Sequence, residues 1–427
     1  MNFSDSEIIV SVMKDADYSF TNEMKDADLI FVNTCSIREH AEQRVRKRLS
    51  ELNSLRKKKP HLLIGLLGCM AERLKDQLLH EEKAVDFIAG PDAYRNLPAL
   101  VDLAGEGQKV TDVILSDYET YADINPVRLG GNGVSAFISI MRGCENYCAY
   151  CVVPYTRGKE RSRDSETIIH EAKELFEKGY REITLLGQNV NSYKSVTPDG
   201  EIDFTGLLEK VADIDPLLRI RFATSHPKDL SDRLLMVMVK YPNICRSIHL
   251  PVQSGNTRIL EKMNRKYTRE WYMNRLTAIR NFLPECAIST DIICGFSSET
   301  VEEHHDTLSL MEWAKFDYAY MFKYSERPDT FAEKKYPDDI AEETKTKRLQ
   351  EVIALQQKLS LESNKKDVGK IFEVLVERES RRSKDFVSGR NSQNKMIIFP
   401  RKDFVAGDYV QVKILRCTAA TLIGEAD

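Results

Sequence analysis

Over the first 125 residues, short apolar runs alternate with amphipathic stretches. Leu29-Ile-Phe-Val-Asn33 and Leu62-Leu-Ile-Gly-Leu-Leu67 read as buried parallel strands, because their apolar character is continuous rather than alternating. Each precedes a helix-like pattern, over 36–58 and 70–80, and this βαβ order predicts a doubly wound α/β domain over 1–125. A Gly-rich break, Leu129-Gly-Gly-Asn-Gly133, leads into six further strand-like runs at 135–142, 182–187, 218–224, 246–252, 287–294 and 317–324. Helical patterns at 165–178, 256–281 and 300–314 lie between them, the last opening on a capping box of Thr300 and Glu303. Six βα units predict an open, partial (βα)6 barrel over 130–362 rather than a closed eight-stranded one. A charged helix over 340–366 connects to closely spaced runs at 370–378, 384–389, 396–399, 408–416 and 420–424, with turn signals at Gly389-Arg-Asn and Val405-Ala-Gly-Asp. That spacing predicts a small antiparallel β-barrel over 365–427, so the fold class is α/β with a β-barrel appended.

Composition narrows the class. The 427 residues are 42% apolar and 30% charged with a mean hydropathy of −0.40, which suits a soluble protein able to bury several cores. No run approaches the ~18 apolar residues that a membrane span needs. The start, Met1-Asn-Phe-Ser-Asp-Ser-Glu7, lacks the charged and apolar regions of a signal peptide. Nine cysteines without a regular framework point to a reducing compartment, the cytoplasm, and to metal ligation rather than disulfides. The net charge of −4 is not that of a typical nucleic-acid binder, yet it is unevenly spread. Residues 365–427 hold 13 Lys+Arg against 9 Asp+Glu, and residues 44–59 hold 8 against the single Glu51. Solvated surface and RNA contact are both open readings of these segments. Arg378, Arg381, Arg382, Lys384 and Arg390 favour the second, whereas the lack of interleaved exposed aromatics does not.

The candidate chemistry centres on Cys144-Glu-Asn-Tyr-Cys148-Ala-Tyr-Cys151. Three thiolates spaced CxxxCxxC can hold three irons of a [4Fe–4S] cube and leave the fourth iron open. An open iron that also delivers an electron suits reductive cleavage of S-adenosylmethionine (SAM). A zinc site with a distant fourth ligand is the plainer alternative. Cys35 and Cys69 each fall just past the C-terminal end of a predicted strand, the edge where open α/β sheets place ligands, and are candidate metal ligands as a matched pair. In the barrel, Gln188, Asn189, Ser225, His226, Gln253 and Asp291 end or line strands where cofactor contacts are expected. Cys245, Cys286, Cys294 and Cys417 have no ligand spacing and read as core residues.

Three longer segments carry a resemblance. They are Asn33-Thr-Cys-Ser-Ile-Arg-Glu39, Gly143-Cys-Glu-Asn-Tyr-Cys-Ala-Tyr-Cys-Val-Val-Pro-Tyr-Thr-Arg-Gly158 and Leu186-Gly-Gln-Asn-Val-Asn-Ser-Tyr193. With them the chain resembles, over essentially its full length, the methylthiotransferase branch of the radical SAM superfamily, and within it the tRNA enzymes that act on N6-dimethylallyladenosine. That family comprises a cluster-binding domain, a radical SAM barrel and a TRAM domain. The resemblance implies that Cys144, Cys148 and Cys151 hold the radical cluster, whose open iron chelates SAM, and that the N-terminal domain holds a second [4Fe–4S] cluster supplying sulfur. One SAM methylates that sulfur and another yields the 5′-deoxyadenosyl radical that removes hydrogen from adenine C2. It also implies a tRNA anticodon stem-loop as partner, a reductase or flavodoxin-type electron donor, a partly apolar pocket for the prenyl group, and a cytoplasmic monomer with no membrane partner. A base in the loop can be splayed out and read at low cost.

The chain departs from the family in one respect. Three N-terminal cysteines are usual and two are present. Met1-Asn2 and Asp5-Ser-Glu7 match the residues after the family's first cysteine, so the expectation is a start two residues beyond that ligand, the alternative being an incompletely ligated second cluster. Gly295-Phe-Ser-Ser-Glu299 and Ser325-Glu-Arg-Pro-Asp329 are lesser departures. Two alternatives stand beside this reading: the related branch acting on N6-threonylcarbamoyladenosine, and a non-catalytic RNA-binding protein with a structural iron–sulfur cluster. The second would normally need four protein ligands.

Overall fold

Strands of continuous apolar character need cover on both faces, and the first part of the chain supplies it. The computed structural model describes residues 1–35, 39–130, 132–198 and 200–426, with side chains throughout except at 39–41, 76, 77 and 80. The described chain divides into two units. The first contains Met1–Leu129, Met141–Tyr147 and Cys151–Arg163, and the second contains Gly130–Ile140, Cys148–Tyr150 and Asp164–Asp427.

In the first unit, strands β1 (Leu29–Thr34), β2 (Leu63–Gly68), β3 (Phe87–Ala89) and β4 (Val110–Asp112) form a parallel sheet in that order. Helices α1 (Asn2–Asp15) and α4 (Leu97–Gly105) cover one face through Ile8, Ile9, Met13, Leu97 and Leu100. Helices α2 (Glu39–Arg56) and α3 (Cys69–Glu81) cover the other through Leu49, Leu52, Met70 and Leu78. Layers on both sides are what the doubly wound reading requires. Of the helix expected over 36–58, positions 36–38 lie outside the described residues. The same unit holds a short ladder, Met141–Arg142 against Arg161–Ser162, and helix α5 (Val153–Arg157).

In the second unit, parallel strands β5 (Ser135–Ser139), β6 (Glu182–Leu186) and β7 (Arg219–Ala223) continue through an Ile220–Ile244 bridge into β8 (Ser247–His249), β9 (Ala287–Cys294) and β10 (Tyr318–Lys323). This is the open six-stranded barrel. Side-chain caps at Asp164, Asp203, Ser231 and Thr268 start its helices, and Thr300 with Glu303 forms the expected capping box.

Three elements differ from the sequence expectation. The strand expected over 135–142 stops at Ser139, and Met141–Arg142 joins the short ladder instead. The strand expected over 246–252 pairs only over Ser247–His249, since Pro251 cannot donate to a ladder and pairing resumes only at a Gln253–Ile292 bridge. The helix expected over 256–281 is two helices, Thr257–Lys262 and Arg269–Phe282. Asn264 and Lys266 adopt left-handed φ of 55° and 61° between them.

Helix α6 (Glu342–Lys365) leads to a closed barrel of β11 (Ile371–Glu379), β12 (Phe386–Arg390), β13 (Met396–Pro400), β14 (Tyr409–Cys417) and β15 (Leu422–Ala426), in the order β11-β12-β13-β15-β14. Its ladders are antiparallel except for the β13–β15 pair that closes it. Val374, Val376, Val412, Phe399 and Leu422 fill it. The turn after β12 is seated on the starts of the large barrel's strands. Arg219 Nη1 donates to Arg390 O at 2.7 Å, Arg221 Nη2 to Asn391 O at 2.8 Å, and Arg246 N to Ser392 Oγ at 2.8 Å.

Candidate active site

Thr34 and Gly68 are register partners at the ends of β1 and β2, so Cys35 and Cys69 follow equivalent positions on adjacent strands. Gly68 is obligatory there. Its φ is +90°, and a Cβ would lie 2.6 Å from Asn33 Oδ1 and 2.7 Å from Thr34 O. Thr34 Oγ1 donates to Leu67 O at 2.7 Å and accepts from Met70 N at 3.2 Å, which fastens the first turn of α3 to the end of β1.

The Cys69 thiol is buried, and Arg157 Nε donates to its Sγ at 3.3 Å. Arg157 closes α5 and is itself 3% exposed; its Nη2 donates to Asp5 Oδ2 at 2.6 Å. Arg142 Nη1 donates to the other oxygen of Asp5 at 3.0 Å, and its Nη2 to Pro91 O at 2.9 Å. Arg161 binds Asp92 through Nη1 at 2.9 Å and Nη2 at 3.1 Å. Burial alone would raise the Asp5 pKa, but the Arg157 and Arg142 guanidiniums outweigh it and hold the carboxyl down at about 2. Glu72, three residues beyond Cys69 and 2% exposed, is the opposite case. Burial pushes it up to about 7, the Lys75 ammonium at 3.9 Å opposes this, and Asp92 and Asp112 reinforce it.

Cys144 follows Gly143, whose φ is +79°; a Cβ there would lie 1.8 Å from Lys159 O. Cys144 N donates to Gly158 O at 3.2 Å, and Asn146 Nδ2 to Cys144 Sγ at 3.5 Å. Tyr147, inside the motif, takes a left-handed φ of 48°. In the second unit, Ala149 is held by backbone bonds from its N to Met263 O at 2.9 Å and from Ala332 N to its carbonyl at 2.8 Å. Arg265, buried, donates through Nη1 to Cys148 Sγ at 3.2 Å and through Nη2 to Pro251 O at 2.7 Å. Two buried arginines thus each point a donor at a candidate ligand thiol, a usual support for anionic sulfur ligands. Cys144, Cys148, Cys151 and Cys35 are half-buried. Among the described residues no three His, Cys, Asp or Glu side chains already converge on one metal position.

At the C-terminal ends of β5, β6 and β7 lie buried polar atoms without a hydrogen-bond partner. They are Ser139 Oγ, both amide atoms of Gln188, Ser225 Oγ and His226 Nε2. Unpaired buried polar groups are costly and call for a ligand. His226 Nδ1 accepts from Lys228 N at 3.3 Å, which assigns the proton of the neutral ring to Nε2. Burial, with Arg265, Lys228 and Lys266 adding to it, holds the His226 pKa down at about 2. Thr224 and Gln253, at neighbouring strand ends, have left-handed φ of 72° and 76°, strain of the kind that collects at binding sites.

Asn189 is engaged inside the protein, donating to Asp229 Oδ2 at 2.8 Å and accepting from His226 N at 3.0 Å. Gln253 is buried and its backbone bridges to β9 through Asp291 O and Ile293 N. Asp291 lies 3.5 Å from His249 Nε2. Cys245, Cys286 and Cys294 are buried, and burial raises the thiol pKa of all three, Cys286 to about 12. Cys417 is half-buried at the edge of the small barrel.

The Radical SAM superfamily matches residues 138–311, the Uncharacterized protein family UPF0004 residues 1–90, and the TRAM domain residues 365–426. The chain is 55% identical over 437 residues to a tRNA-2-methylthio-N(6)-dimethylallyladenosine synthase of Amoebophilus asiaticus, covering 100% of this chain and 90% of the relative. A Bacteroides fragilis protein of the same name is 54% identical over 426 residues, with 100% and 93% covered. The chain belongs to the tRNA-2-methylthio-N(6)-dimethylallyladenosine synthase family. As a member it is a radical SAM enzyme, with SAM and [4Fe–4S] clusters as cofactors. A solved structure of the radical SAM methyltransferase TsrM from Kitasatospora setae, with cobalamin and a [4Fe–4S] cluster bound, has a similar fold. Its TM-score is 0.57 at 13% identity, over 77% of this chain and 73% of that one.

Sequence reasoning did not pick out Ser139, Arg157 or Arg265 as members of the site. Arg157 lay inside the long motif, but nothing in a sequence says that an arginine there is buried against a cysteine 88 residues earlier.

Proposed function

We propose that this family member converts N6-dimethylallyladenosine beside the tRNA anticodon to its 2-methylthio derivative, with Cys144, Cys148 and Cys151 holding the radical cluster. Cys35 and Cys69 are the residues assigned to the second cluster. When bound, the clusters and SAM supply the radical, the sulfur and the methyl group. The protein's part is to orient them. Ser139 Oγ, the Gln188 amide, Ser225 Oγ and the Nε2–H of His226 are the groups offered to SAM; Asn189 braces the His226 backbone, and Gln253 sets the neighbouring strand end. The unpaired atoms at the barrel's strand ends carry the reading, because one polar, charged cofactor would satisfy several of them at once.

No helix among the described residues is long and apolar enough to cross a membrane. In the small barrel Arg378, Arg381, Arg382 and Lys384 are exposed, whereas Arg390 is paired with Glu377 at 2.7 Å, so the first four are the candidates for RNA phosphate contact. A flavodoxin-type donor or reductase, a monomeric state and a cytoplasmic location complete the proposal.

The test is twofold. Anaerobic, reduced holoenzyme should release 5′-deoxyadenosine from SAM, and nucleosides from its tRNA should gain the methylthio group on prenylated adenosine. Turnover with the mark on threonylcarbamoyladenosine would select the related branch. No 5′-deoxyadenosine would reduce the site to a structural cluster.

A further inference from the structure

We propose that Arg157 is a positioning residue for the second cluster, donating one hydrogen bond to the Cys69 ligand and another to a sulfur of the cluster. The inference builds on the assignment of Cys69 as a ligand made above. Four observations carry it. The guanidinium is buried, and its Nε is already 3.3 Å from Cys69 Sγ. Its Nη2 is fixed on Asp5 at 2.6 Å, so the plane of the group cannot swing away without breaking an ion pair between buried groups. Asp5 is held in turn by Arg142, and the Arg157 carbonyl accepts from Arg161 Nη2 at 3.0 Å. Finally, Nη1 of Arg157 is buried with no acceptor.

A charged donor left empty in the interior is expensive, and a thiolate-ligated cluster beside Cys69 presents the anionic sulfur that would fill it. Hydrogen bonds to cluster sulfurs raise the reduction potential and favour the reduced form. Arg157 also ends the helix that starts two residues after Cys151. Within the first unit, one short run of chain therefore carries Cys144 and Cys151 and then reaches back to Cys69. On this reading the second cluster's potential is set in part by a residue of the radical-cluster motif.

The test uses the full-length chain with Cys144, Cys148 and Cys151 changed to Ala, anaerobically loaded, so that only the second cluster titrates. In that background Cys69→Ala should lose the iron. If it does not, the ligand assignment fails and the Arg157 inference falls with it. Arg157→Lys keeps the charge but not the fork, and its midpoint potential, followed by electron paramagnetic resonance, should move negative. A tenfold change in the oxidised-to-reduced ratio corresponds to about 59 mV for one electron. Arg142→Lys, which touches Asp5 but not Cys69, should lower thermal stability and leave the potential in place. An unchanged midpoint in Arg157→Lys, with Cys69→Ala empty, overturns this inference and spares the ligand assignment. If Arg157→Lys does not fold, Arg157→Met, which fills much of the same space and removes both donors, takes its place under the same criterion.

Discussion

Replacing Asp5 by Asn should cost the first unit about 2.5 kcal/mol at pH 7. The carboxyl is fully buried and its pKa falls from 3.8 to about 2 on folding. At ~1.4 kcal/mol per unit, that shift is worth about 2.5 kcal/mol to the folded state. Burial precludes any large discount for solvent screening. Asn would keep one acceptor oxygen but turn an amide donor toward Arg142 or Arg157, and breaking a buried pair in this way often costs ~3–5 kcal/mol, so the estimate is a lower bound.

Urea unfolding of the apoprotein, followed by far-UV circular dichroism, measures the effect. Trp271 and Trp313, the two tryptophans, both lie in the second unit, so their fluorescence reports the other transition. The first unit's share of the circular dichroism change should move to lower urea while the tryptophan transition stays. The sign with pH is fixed: a depressed carboxyl stabilises fully above the unfolded pKa and loses that contribution as pH falls through the folded one. The gap between parent and variant should therefore be constant from pH 8 to 5 and close between about pH 4 and 2. A loss below ~0.5 kcal/mol at pH 7, or a gap that persists unchanged into acid, would refute the electrostatic account.

Three other outcomes are expected. Glu72→Gln should stabilise the protein at pH 8 by about 3 kcal/mol, the value of the shift from 4.5 to about 7, in which the opposing Lys75 charge is already included. The parent should lose this stability as pH rises from about 4.5 to 7, the window in which the native carboxyl holds a proton that the unfolded one has released; a parent curve flat across that window contradicts it. Gln188→Ala and Ser225→Ala should each weaken SAM binding by calorimetry about five- to tenfold, the value of one or two buried hydrogen bonds, and affinity should show no step near pH 6.5 because His226 stays neutral. Gly143→Ala should cost ~3 kcal/mol or more and strip iron from the Cys144 site, since its methyl would overlap the Lys159 carbonyl; normal iron content in that variant would show that the turn relaxes cheaply.

The large-scale architecture was legible because it is written in periodicity. The continuous apolar runs at 29–33 and 62–67 became adjacent paired strands, the first at the sheet edge and the second inside it, and the cysteines after them fell at equivalent positions, since parallel register aligns Thr34 with Gly68. The capping box at Thr300 was readable because it is local. The hidden parts depend on contacts between distant residues. Asn189 looked like Gln188 in sequence, but Asp229 occupies its amide while Gln188 is left unpaired. Likewise no spacing rule places Arg157 on Cys69 or Arg265 on Cys148. The break in the expected helix at 256–281 escaped notice because left-handed Asn264 and Lys266 carry no Gly or Pro to announce them.

The turn that Arg219, Arg221 and Arg246 hold has a consequence for how a long substrate is measured. It sits at the feet of the strands, while the unpaired groups of Gln188 and Ser225 sit at their heads. Five residues of strand separate the two levels, about 17 Å at ~3.3 Å per residue. An RNA gripped by the small barrel must cover that height before any base reaches the heads, a climb of several nucleotides. If the small barrel holds the RNA as proposed above, it would act as a ruler, gripping one part of the stem-loop and leaving another part to be altered. Loosening its arginine mount would blur which nucleotide is presented before it abolished the grip.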